Sequence, residues 1–299
     1  MGILIMRKFM MAALLATVSF GVAQAAEPDP RFKEYTPTSG VSGKLKSVGS
    51  DTLNNLMTLW AEDFKKLYPG VTIEIEGKGS STAPPALTQG TAQFGPMSRP
   101  MRPAEEDAFV AKWGYKPTQV RVAVDALAVF VNKDNPVKCL SLAQLEQIFA
   151  VGGGATTWDK LGLTGDFAGK PISMFGRNSA SGTYGYFKEV ALSNKDYKPT
   201  VKEQPGSSAV VQGVAADKFA IGYSGIGYRT ADVRPIEISG RDGQCHEPSQ
   251  EKAYQSKYPI SRFLFMYVNR NPSQPMQPVM AEFLKFVLSR SGQDDTNKD

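Results

Sequence analysis

Histidine, cysteine and apolar runs beyond the N-terminus are scarce in this sequence. One histidine, His246, and two cysteines, Cys139 and Cys245, occur among 299 residues. A metallo-hydrolase needs a cluster of histidine and aspartate ligands, and a serine nucleophile needs a nearby base. The single histidine lies in a polar loop, where we expect it at the surface. The sequence therefore argues against a hydrolytic enzyme, and we expect no metal and no cofactor.

Net charge is also low. The chain carries a formal charge of +5, and removal of Arg7 and Lys8 with the first 25 residues leaves +3. Lysine and arginine do not cluster with aromatic residues, as they do in nucleic-acid-binding domains. We therefore expect no nucleic-acid partner.

The N-terminus holds the one long apolar run. Arg7-Lys8 precedes the apolar residues 9–22, and Ala23-Gln24-Ala25 has the small-x-small pattern of a cleavage site. We predict a secretory signal peptide over residues 1–25; the alternative is a membrane anchor, for which the run is short. Residues 26–43 are rich in proline, glycine and charge and are expected to form a flexible lead-in.

In an exported protein the two cysteines, Cys139 and Cys245, either pair in a disulfide or remain separate thiols.

The stretch 176–185 organises the remaining sequence. A predicted strand leads into Arg177-Asn178-Ser179-Ala180-Ser181-Gly182-Thr183, and a predicted helix over 184–192 follows. A strand-to-helix turn presents free backbone N–H groups and the positive end of the helix dipole to an anion. Ser181 and Thr183 add hydroxyl donors, and Arg177 adds a planar cation suited to an oxyanion. The alternative is a polar loop whose serine only caps the helix.

Two earlier turns also follow a predicted strand and precede a predicted helix. The first contains Ser50, Asp51 and Thr52, before a helix over 53–68 whose apolar residues recur at three- and four-residue steps. The second contains Ser80. In the first turn Ser50 or Asp51 could instead only cap the helix, and in the second turn Ser80 could be an ordinary loop residue.

Ser98 and Asp125 are further candidates. Ser98 and Arg99 end a short strand-like segment, and Arg99 faces a ligand, a carboxylate or solvent. Asp125 interrupts the apolar strand predicted over 120–132, where a carboxylate without a partner is costly. Either a chain reversal exposes Asp125, or Asp125 is the acceptor in a site otherwise lined with donors.

Predicted strands and helices alternate along the chain, which indicates an α/β fold. The later elements include a helix over 139–150, a strand over 263–269 and a helix over 276–290, and the tail over 293–299 is expected to fray. Ligands of open α/β sheets lie at the carboxyl ends of strands. Polar turns in both halves of the chain therefore predict a ligand held between two lobes.

In this order the motifs resemble those of the periplasmic phosphate-binding proteins of ABC transporters. The resemblance covers nearly all of the chain after residue 25, and it implies the type II periplasmic-binding-protein fold with the ligand in the cleft between two lobes. Lobe I is expected over residues 44–125 and 240–299, and lobe II over residues 126–239. The family usually has threonine in place of Asp51, and some members have an aspartate in place of Arg99. Relatives with a Ser-Arg turn resemble this chain in carrying an aspartate at the position of Asp125.

The resemblance implies a monomeric periplasmic receptor that captures inorganic phosphate, delivers it to a membrane ABC permease complex and is not an enzyme. One alternative is a receptor for another oxyanion, namely sulfate, molybdate or a phosphonate. The other alternative, from a different class, is an exported phosphoester hydrolase. The ligand-binding residues expected on these grounds are Ser50, Asp51, Thr52, Ser80, Ser98, Asp125, Arg177, Ser181, Gly182 and Thr183.

Overall fold

The computed structural model describes residues 28–298 as a mixed α/β structure, which agrees with the predicted fold class. The strands are β1 (Gly43–Gly49), β2 (Val71–Gly77), β3 (Phe94–Met97), β4 (Thr118–Asn132), β5 (Cys139–Ser141), β6 (Ser173–Arg177), β7 (Lys202–Gln204), β8 (Ala220–Gly225), β9 (Val233–Pro235), β10 (Glu237–Ser239), β11 (Cys245–His246) and β12 (Ser261–Val268). The helices are α1 (Asn54–Leu67), α2 (Ala83–Gln89), α3 (Pro103–Trp113), α4 (Leu142–Phe149), α5 (Gly182–Ala191), α6 (Ser207–Ala215), α7 (Gln250–Tyr254), α8 (Pro278–Val287) and α9 (Arg290–Thr296). The predicted signal peptide, residues 1–25, lies outside the described residues.

One sheet runs through the molecule in the order β2-β1-β3-β12-β4-β8-β6-β7, and β9 pairs with the end of β4. β1 is parallel to β2 and β3, and β6 is parallel to β7 and β8. β4 pairs antiparallel with β12 over residues 118–126 and with β8 over residues 127–131. β4 therefore joins two halves of the sheet, which we name the first half on the β12 side and the second half on the β8 side.

Helix α1 covers the first half because its apolar side chains fall on one face. Leu56, Met57, Trp60 and Phe64 are buried there. The indole N–H of Trp60 also donates to the carbonyl of Gly292 at 2.7 Å, which ties α1 to α9. Trp60 is thus a core residue.

The second half has a core of its own. The rings of Phe187 and Tyr223 stack with centroids 3.9 Å apart, and Phe149 meets both rings edge to face. Tyr258 and Ile260 belong to this core as well, although they come from a segment predicted for lobe I. The division of the chain into lobes remains a prediction.

Residues 139–150, predicted as one helix, form strand β5 followed by helix α4. Ser141 Oγ accepts the N–H of Gln144 at 3.2 Å, and the Gln144 side chain accepts the N–H of Ser141 at 2.9 Å. This capping box starts the helix at Leu142, so the preceding residues are free to pair with β10. The helix prediction was therefore wrong for residues 139–141.

Cys139 forms a disulfide with Cys245, with Cα atoms 6.1 Å apart. Of the two alternatives left open by the sequence, the cysteines therefore pair and do not remain separate thiols.

The predicted frayed tail is also wrong over residues 293–296, which belong to α9. Ser289 caps this helix by accepting the N–H of Gly292 at 3.3 Å. The Gln293 amide donates to the carbonyls of Val122 and Val287 at 3.2 and 2.8 Å, and Asp295 is fully buried. Polar side chains pack this helix by hydrogen bonding, which a search for apolar periodicity does not detect.

Two other local expectations concern His246 and the lead-in. His246 is buried rather than at the surface, and its Nε2 lies 2.8 Å from Asp242 Oδ2. In the described part of the lead-in, the Tyr35 hydroxyl donates to Glu282 Oε2 at 2.9 Å, so this segment contacts α8.

None of the helices within residues 28–298 combines the length and the apolar character that a bilayer crossing requires.

The topology brings the polar turns together. The parallel strands β1, β2 and β3 lead into Ser50–Thr52, Ser80 and Ser98, and β6 leads into the turn that ends at Thr183. Carboxyl ends of parallel strands meet at one edge of a sheet. Four separate segments of the chain therefore supply side chains to one region between the two halves.

Candidate anion-binding site

The turn after β6 is shaped by its helix cap. β6 ends at Arg177, and α5 begins at Gly182, two residues before the predicted start. Ser181 is the N-cap residue, and its Oγ accepts the N–H of Thr183 at 3.1 Å. The capping role considered for this serine is therefore real. It fixes the start of α5, where backbone N–H groups and the helix dipole favour negative charge.

Ser80, Ser98 and Gly182 lie against one another. Both serines are fully buried, their Oγ atoms are 3.1 Å apart, and Ser98 N–H donates to Ser80 Oγ at 3.0 Å. A Cβ atom on Gly182 would overlap Ser80 Oγ and lie 2.6 Å from Ser98 Oγ. Glycine at position 182 therefore lets hydroxyl groups of the first half approach the N-terminus of α5 in the second half.

Arg177 is the most deeply buried cation of this region, with 1% of the residue exposed. Its Nη1 lies 3.0 Å from Asp51 Oδ2 and donates to Ser207 Oγ at 2.8 Å. Its Nε is buried without a hydrogen-bond partner among residues 28–298. Burial lowers the pKa of Arg177 and the charge of Asp51 opposes this shift. Because the guanidinium group of arginine ordinarily loses its proton only far above neutral pH, Arg177 stays charged.

A tyrosine pair holds the backbone of Arg177. The Arg177 N–H donates to the Tyr223 hydroxyl at 3.3 Å, which in turn donates to the Tyr197 hydroxyl at 2.9 Å. Burial raises the pKa of Tyr223 well above its ordinary value. The phenol therefore remains neutral and keeps the proton that this chain of hydrogen bonds requires.

Asp51 bridges the two halves. Besides its ion pair with Arg177, Asp51 Oδ2 accepts the N–H of Ser207, the first residue of α6, at 2.8 Å. The Tyr228 hydroxyl donates to the Asp51 carbonyl at 2.6 Å. The Asp51 carboxylate therefore points at a buried cation and at a helix N-terminus in the second half.

Thr52, Thr183, Arg262 and Asp125 form a second bridge. The Oγ1 atoms of Thr52 and Thr183 are 2.8 Å apart, and Arg262 Nη2 donates to Thr183 Oγ1 at 2.8 Å. Arg262 also donates to Asp125 Oδ2, from Nε at 3.1 Å and from Nη2 at 2.9 Å. β4 runs through Asp125 without the chain reversal considered above. Asp125 is buried because a cation on the neighbouring strand satisfies it.

Ser50 and Arg99 are the remaining residues considered from the sequence. Ser50 is 2% exposed, and its N–H donates to the Pro96 carbonyl at 2.7 Å. Arg99 faces a carboxylate, since its Nη2 lies 2.7 Å from Glu105 Oε1. Of the three environments considered for Arg99, the structure thus shows the ion pair.

Sequence reasoning missed Arg262 and Ser207. Arg262 follows Ser261 at the start of a strongly apolar strand, and a basic residue there has no local signal of a role. The sequence feature that could have indicated Arg262 is Asp125, because a carboxylate buried in a strand requires a partner. Which residue supplies that partner depends on the pairing of β4 with β12, in which Arg262 lies directly opposite Asp125.

Together these groups place two cations and several hydroxyl groups around the N-terminus of α5. The two guanidinium groups belong to Arg177 and Arg262, and each is paired with one carboxylate. Charge-assisted donors and hydroxyl donors are the groups that recognise oxyanions. The arrangement is therefore suited to an anion held between the two halves.

Comparison with known proteins agrees with this description. The model of the PBP superfamily domain matches residues 35–291. The phosphate-binding protein PstS of Pseudomonas aeruginosa is 53% identical over 302 residues, which cover 98% of this chain and 94% of that protein. This chain belongs to the PBP superfamily, among the PstS-like phosphate-binding proteins. PstS of Staphylococcus haemolyticus is 30% identical over 256 residues, with 84% of this chain and 78% of that protein covered.

A solved structure supports the fold of this PBP-superfamily chain. It comes from Clostridium perfringens and is described as a phosphate ABC transporter substrate-binding protein with bound phosphate. The two chains are 28% identical and superpose with a TM-score of 0.73, over 85% of this chain and 96% of the other. The predicted periplasmic-binding-protein fold is thereby confirmed.

Proposed function

We propose that this chain is the receptor that captures inorganic phosphate and delivers it to the membrane permease of an ABC transporter. The observation that carries the proposal is the meeting of Arg177, the N-terminus of α5 and the hydroxyl groups of Thr52 and Ser80 between two sheet halves. An oxyanion needs such donors from several sides. The PstS relatives and the phosphate-bound relative from Clostridium perfringens support phosphate as the anion.

The proposed ligand-binding residues are those expected from the sequence. Arg177 supplies the charge, Ser181, Gly182 and Thr183 supply the N-terminus of α5, and the first half supplies hydroxyl groups. Asp51 and Asp125 act as acceptors or hold the arginines in place. The full set is Ser50, Asp51, Thr52, Ser80, Ser98, Asp125, Arg177, Ser181, Gly182 and Thr183.

Calorimetric titration tests the ligand. Protein stripped of bound anion by unfolding and refolding is titrated separately with phosphate and with sulfate. Phosphate is expected to bind at least about a hundredfold more tightly, because a site that hydrogen-bonds one specific group rejects the analogue that lacks it. Equal affinities, or a preference for sulfate, molybdate or a phosphonate, would assign the receptor to another oxyanion.

Export and the monomeric state are the other parts of the proposal. Residues 1–25 act as a cleaved signal peptide, and the mature receptor works as a periplasmic monomer. N-terminal sequencing of the protein recovered from the periplasm is expected to begin after Ala25, and light scattering is expected to give the mass of one chain. A retained N-terminus or a stable dimer would contradict these two points.

The receptor role is proposed in place of hydrolysis. Within residues 28–298, one group of three histidine, cysteine, aspartate or glutamate side chains is close enough to hold a metal. It consists of Cys139, Glu237 and Cys245, and its two cysteines are joined in the disulfide. The thiolate is the form of cysteine that binds a metal, and a disulfide contains none. Incubation of the purified protein with a nitrophenyl phosphate is expected to release no nitrophenol above the buffer rate.

A further inference from the structure

Arg262 occupies an unusual position for a cation. It is 8% exposed, it lies at the second residue of β12, and its guanidinium sits 4.8 Å from the centre of the Tyr186 ring. Burial of a charge without a partner is costly. Asp125 on β4 is that partner, and both of its hydrogen bonds from Arg262 end on Oδ2.

The fixed geometry of guanidinium shows where the remaining donors lie. Nε and the inner hydrogen of Nη2 form one edge of the group, and the outer hydrogen of Nη2 lies on the same edge as Nη1. Asp125 occupies the first edge. Thr183 Oγ1, 2.8 Å from Nη2, therefore lies on the second edge. Nη1, on that second edge, is buried and has no hydrogen-bond partner among residues 28–298.

The second edge of Arg262 faces the anion-binding turn. Thr183 is the second residue of α5 and contacts Thr52 of the first half. Arg177 and Arg262 also lie close enough to influence each other: burial lowers the pKa of Arg177 most, and the charge of Arg262 lowers it further. Two cations that repel each other across one small region are stabilised when an anion lies between them.

We propose that Arg262 is a second anion-contacting arginine, whose Nη1–Nη2 edge binds a phosphate oxygen beside Thr183 while Asp125 orients the group. This inference deepens the proposed phosphate function and depends on it. Arg177 approaches the anion from β6 in the second half, and Arg262 approaches from β12. Two arginines on different strands favour the more highly charged form of the anion over a singly charged one.

A purely structural role for Arg262 is the competing explanation. In that case Arg262 exists only to neutralise the buried Asp125, and its loss weakens binding because an unpaired carboxylate disturbs the site. The two roles predict different results when Asp125 is replaced by a neutral residue. If Arg262 contacts phosphate, its removal still weakens binding when residue 125 carries no charge. If it only neutralises Asp125, its removal then has no effect.

The experiment is a double-mutant cycle read by calorimetry with inorganic phosphate. It compares the wild type, Arg262→Gln, Asp125→Asn and the double variant. We expect Arg262→Gln to weaken phosphate binding at least tenfold in both the wild-type and the Asp125→Asn backgrounds. We also expect it to flatten the rise in affinity that accompanies loss of the phosphate proton as the pH increases through neutrality.

Arg121→Gln is the matched control, because Arg121 is an exposed arginine on the strand next to β12 and stacks on Phe263. It removes the same charge and should leave phosphate affinity within threefold of wild type. A change of less than threefold between Asp125→Asn and the double variant would overturn the inference. If Arg262→Gln does not fold, that comparison decides alone. Failure of the wild type to bind phosphate would instead refute the proposed function itself.

Discussion

At the scale of single residues, Arg177 is the side chain on which anion binding is expected to depend most. Its guanidinium is buried, charged and held by Asp51 and Ser207. Arg177→Ala removes a charge-assisted contact, and the loss of a buried charged partner costs about 2–5 kcal/mol in binding. We therefore expect phosphate affinity to fall by a factor of tens or more, measured by calorimetric titration.

Arg31→Ala is the control for this variant, because Arg31 is an arginine whose side chain is 88% exposed. Its affinity should match that of the wild type. Phosphate binding by Arg177→Ala within threefold of wild type would show that Arg177 is not the principal cation.

Asp125, which is buried, and Asp51, which is partly exposed, are expected to set the preference for phosphate over sulfate. Near neutral pH every phosphate ion carries at least one proton and sulfate carries none, so a carboxylate can accept a hydrogen bond from phosphate alone. Arg262 binds Asp125 through Oδ2, which leaves Oδ1 as the oxygen for this role. We expect Asp125→Asn to weaken phosphate binding and to lower the phosphate-to-sulfate affinity ratio.

Asp51→Asn is the comparison that separates the two acids, since Asp51 Oδ2 is already engaged by Arg177 and Ser207. Competition titrations with both anions measure the ratio in each variant. A lower ratio in Asp51→Asn alone would assign the acceptor role to Asp51. An unchanged ratio in both variants would contradict the carboxylate explanation of selectivity.

At the scale of secondary-structure elements, the sequence predicted the strand–turn–helix units that carry the site. Their signals are local: apolar periodicity in α1, alternation in β2, and serine or glycine in the turns. Local signals failed where partners distant in sequence decide the structure. Residues 139–141 become a strand because β10 lies beside them, and α9 forms because Gln293 bonds to carbonyls of other elements. The Arg262–Asp125 pair, 137 residues apart, could not be predicted for the same reason.

The disulfide is expected to stabilise an element without serving the site. Cys139 and Cys245 join β5 to β11 in a three-stranded sheet, and they are 106 residues apart. Disulfides that close loops of this size contribute about 2–5 kcal/mol. The double variant Cys139→Ala/Cys245→Ala should therefore unfold at lower urea concentration and bind phosphate within threefold of wild type. An unchanged urea midpoint, or a large loss of affinity, would contradict this assignment.

At the scale of the whole molecule, the contacts between halves predict closure on ligand binding. Asp51 meets Arg177, Thr52 meets Thr183, and the N–H of Ser81 donates to the Ala180 carbonyl at 3.1 Å. Two-lobe binders close around their ligand because it contacts both lobes. Small-angle scattering should give a smaller radius of gyration with saturating phosphate than without it.

Asp51→Asn should enlarge this difference, because the ligand-free protein then loses one charged bridge between its halves. The radius of the ligand-free variant is expected to exceed that of the ligand-free wild type. Identical scattering profiles with and without phosphate would count against a site formed between moving halves.

The pairing of β4 with β12 and β8 also determines how far different parts of the molecule travel. Asp125 and Arg262 are opposite each other just before β4 exchanges β12 for β8 as its neighbour. If the halves rotate about this point, displacement grows in proportion to distance from it. The anion contacts would then lie near the axis of rotation, and the outer surfaces of the two halves would move furthest. A small rearrangement at the guanidinium of Arg262 would therefore shift those surfaces by more than it shifts the site, and a membrane partner that contacts both surfaces would distinguish a loaded receptor from an empty one.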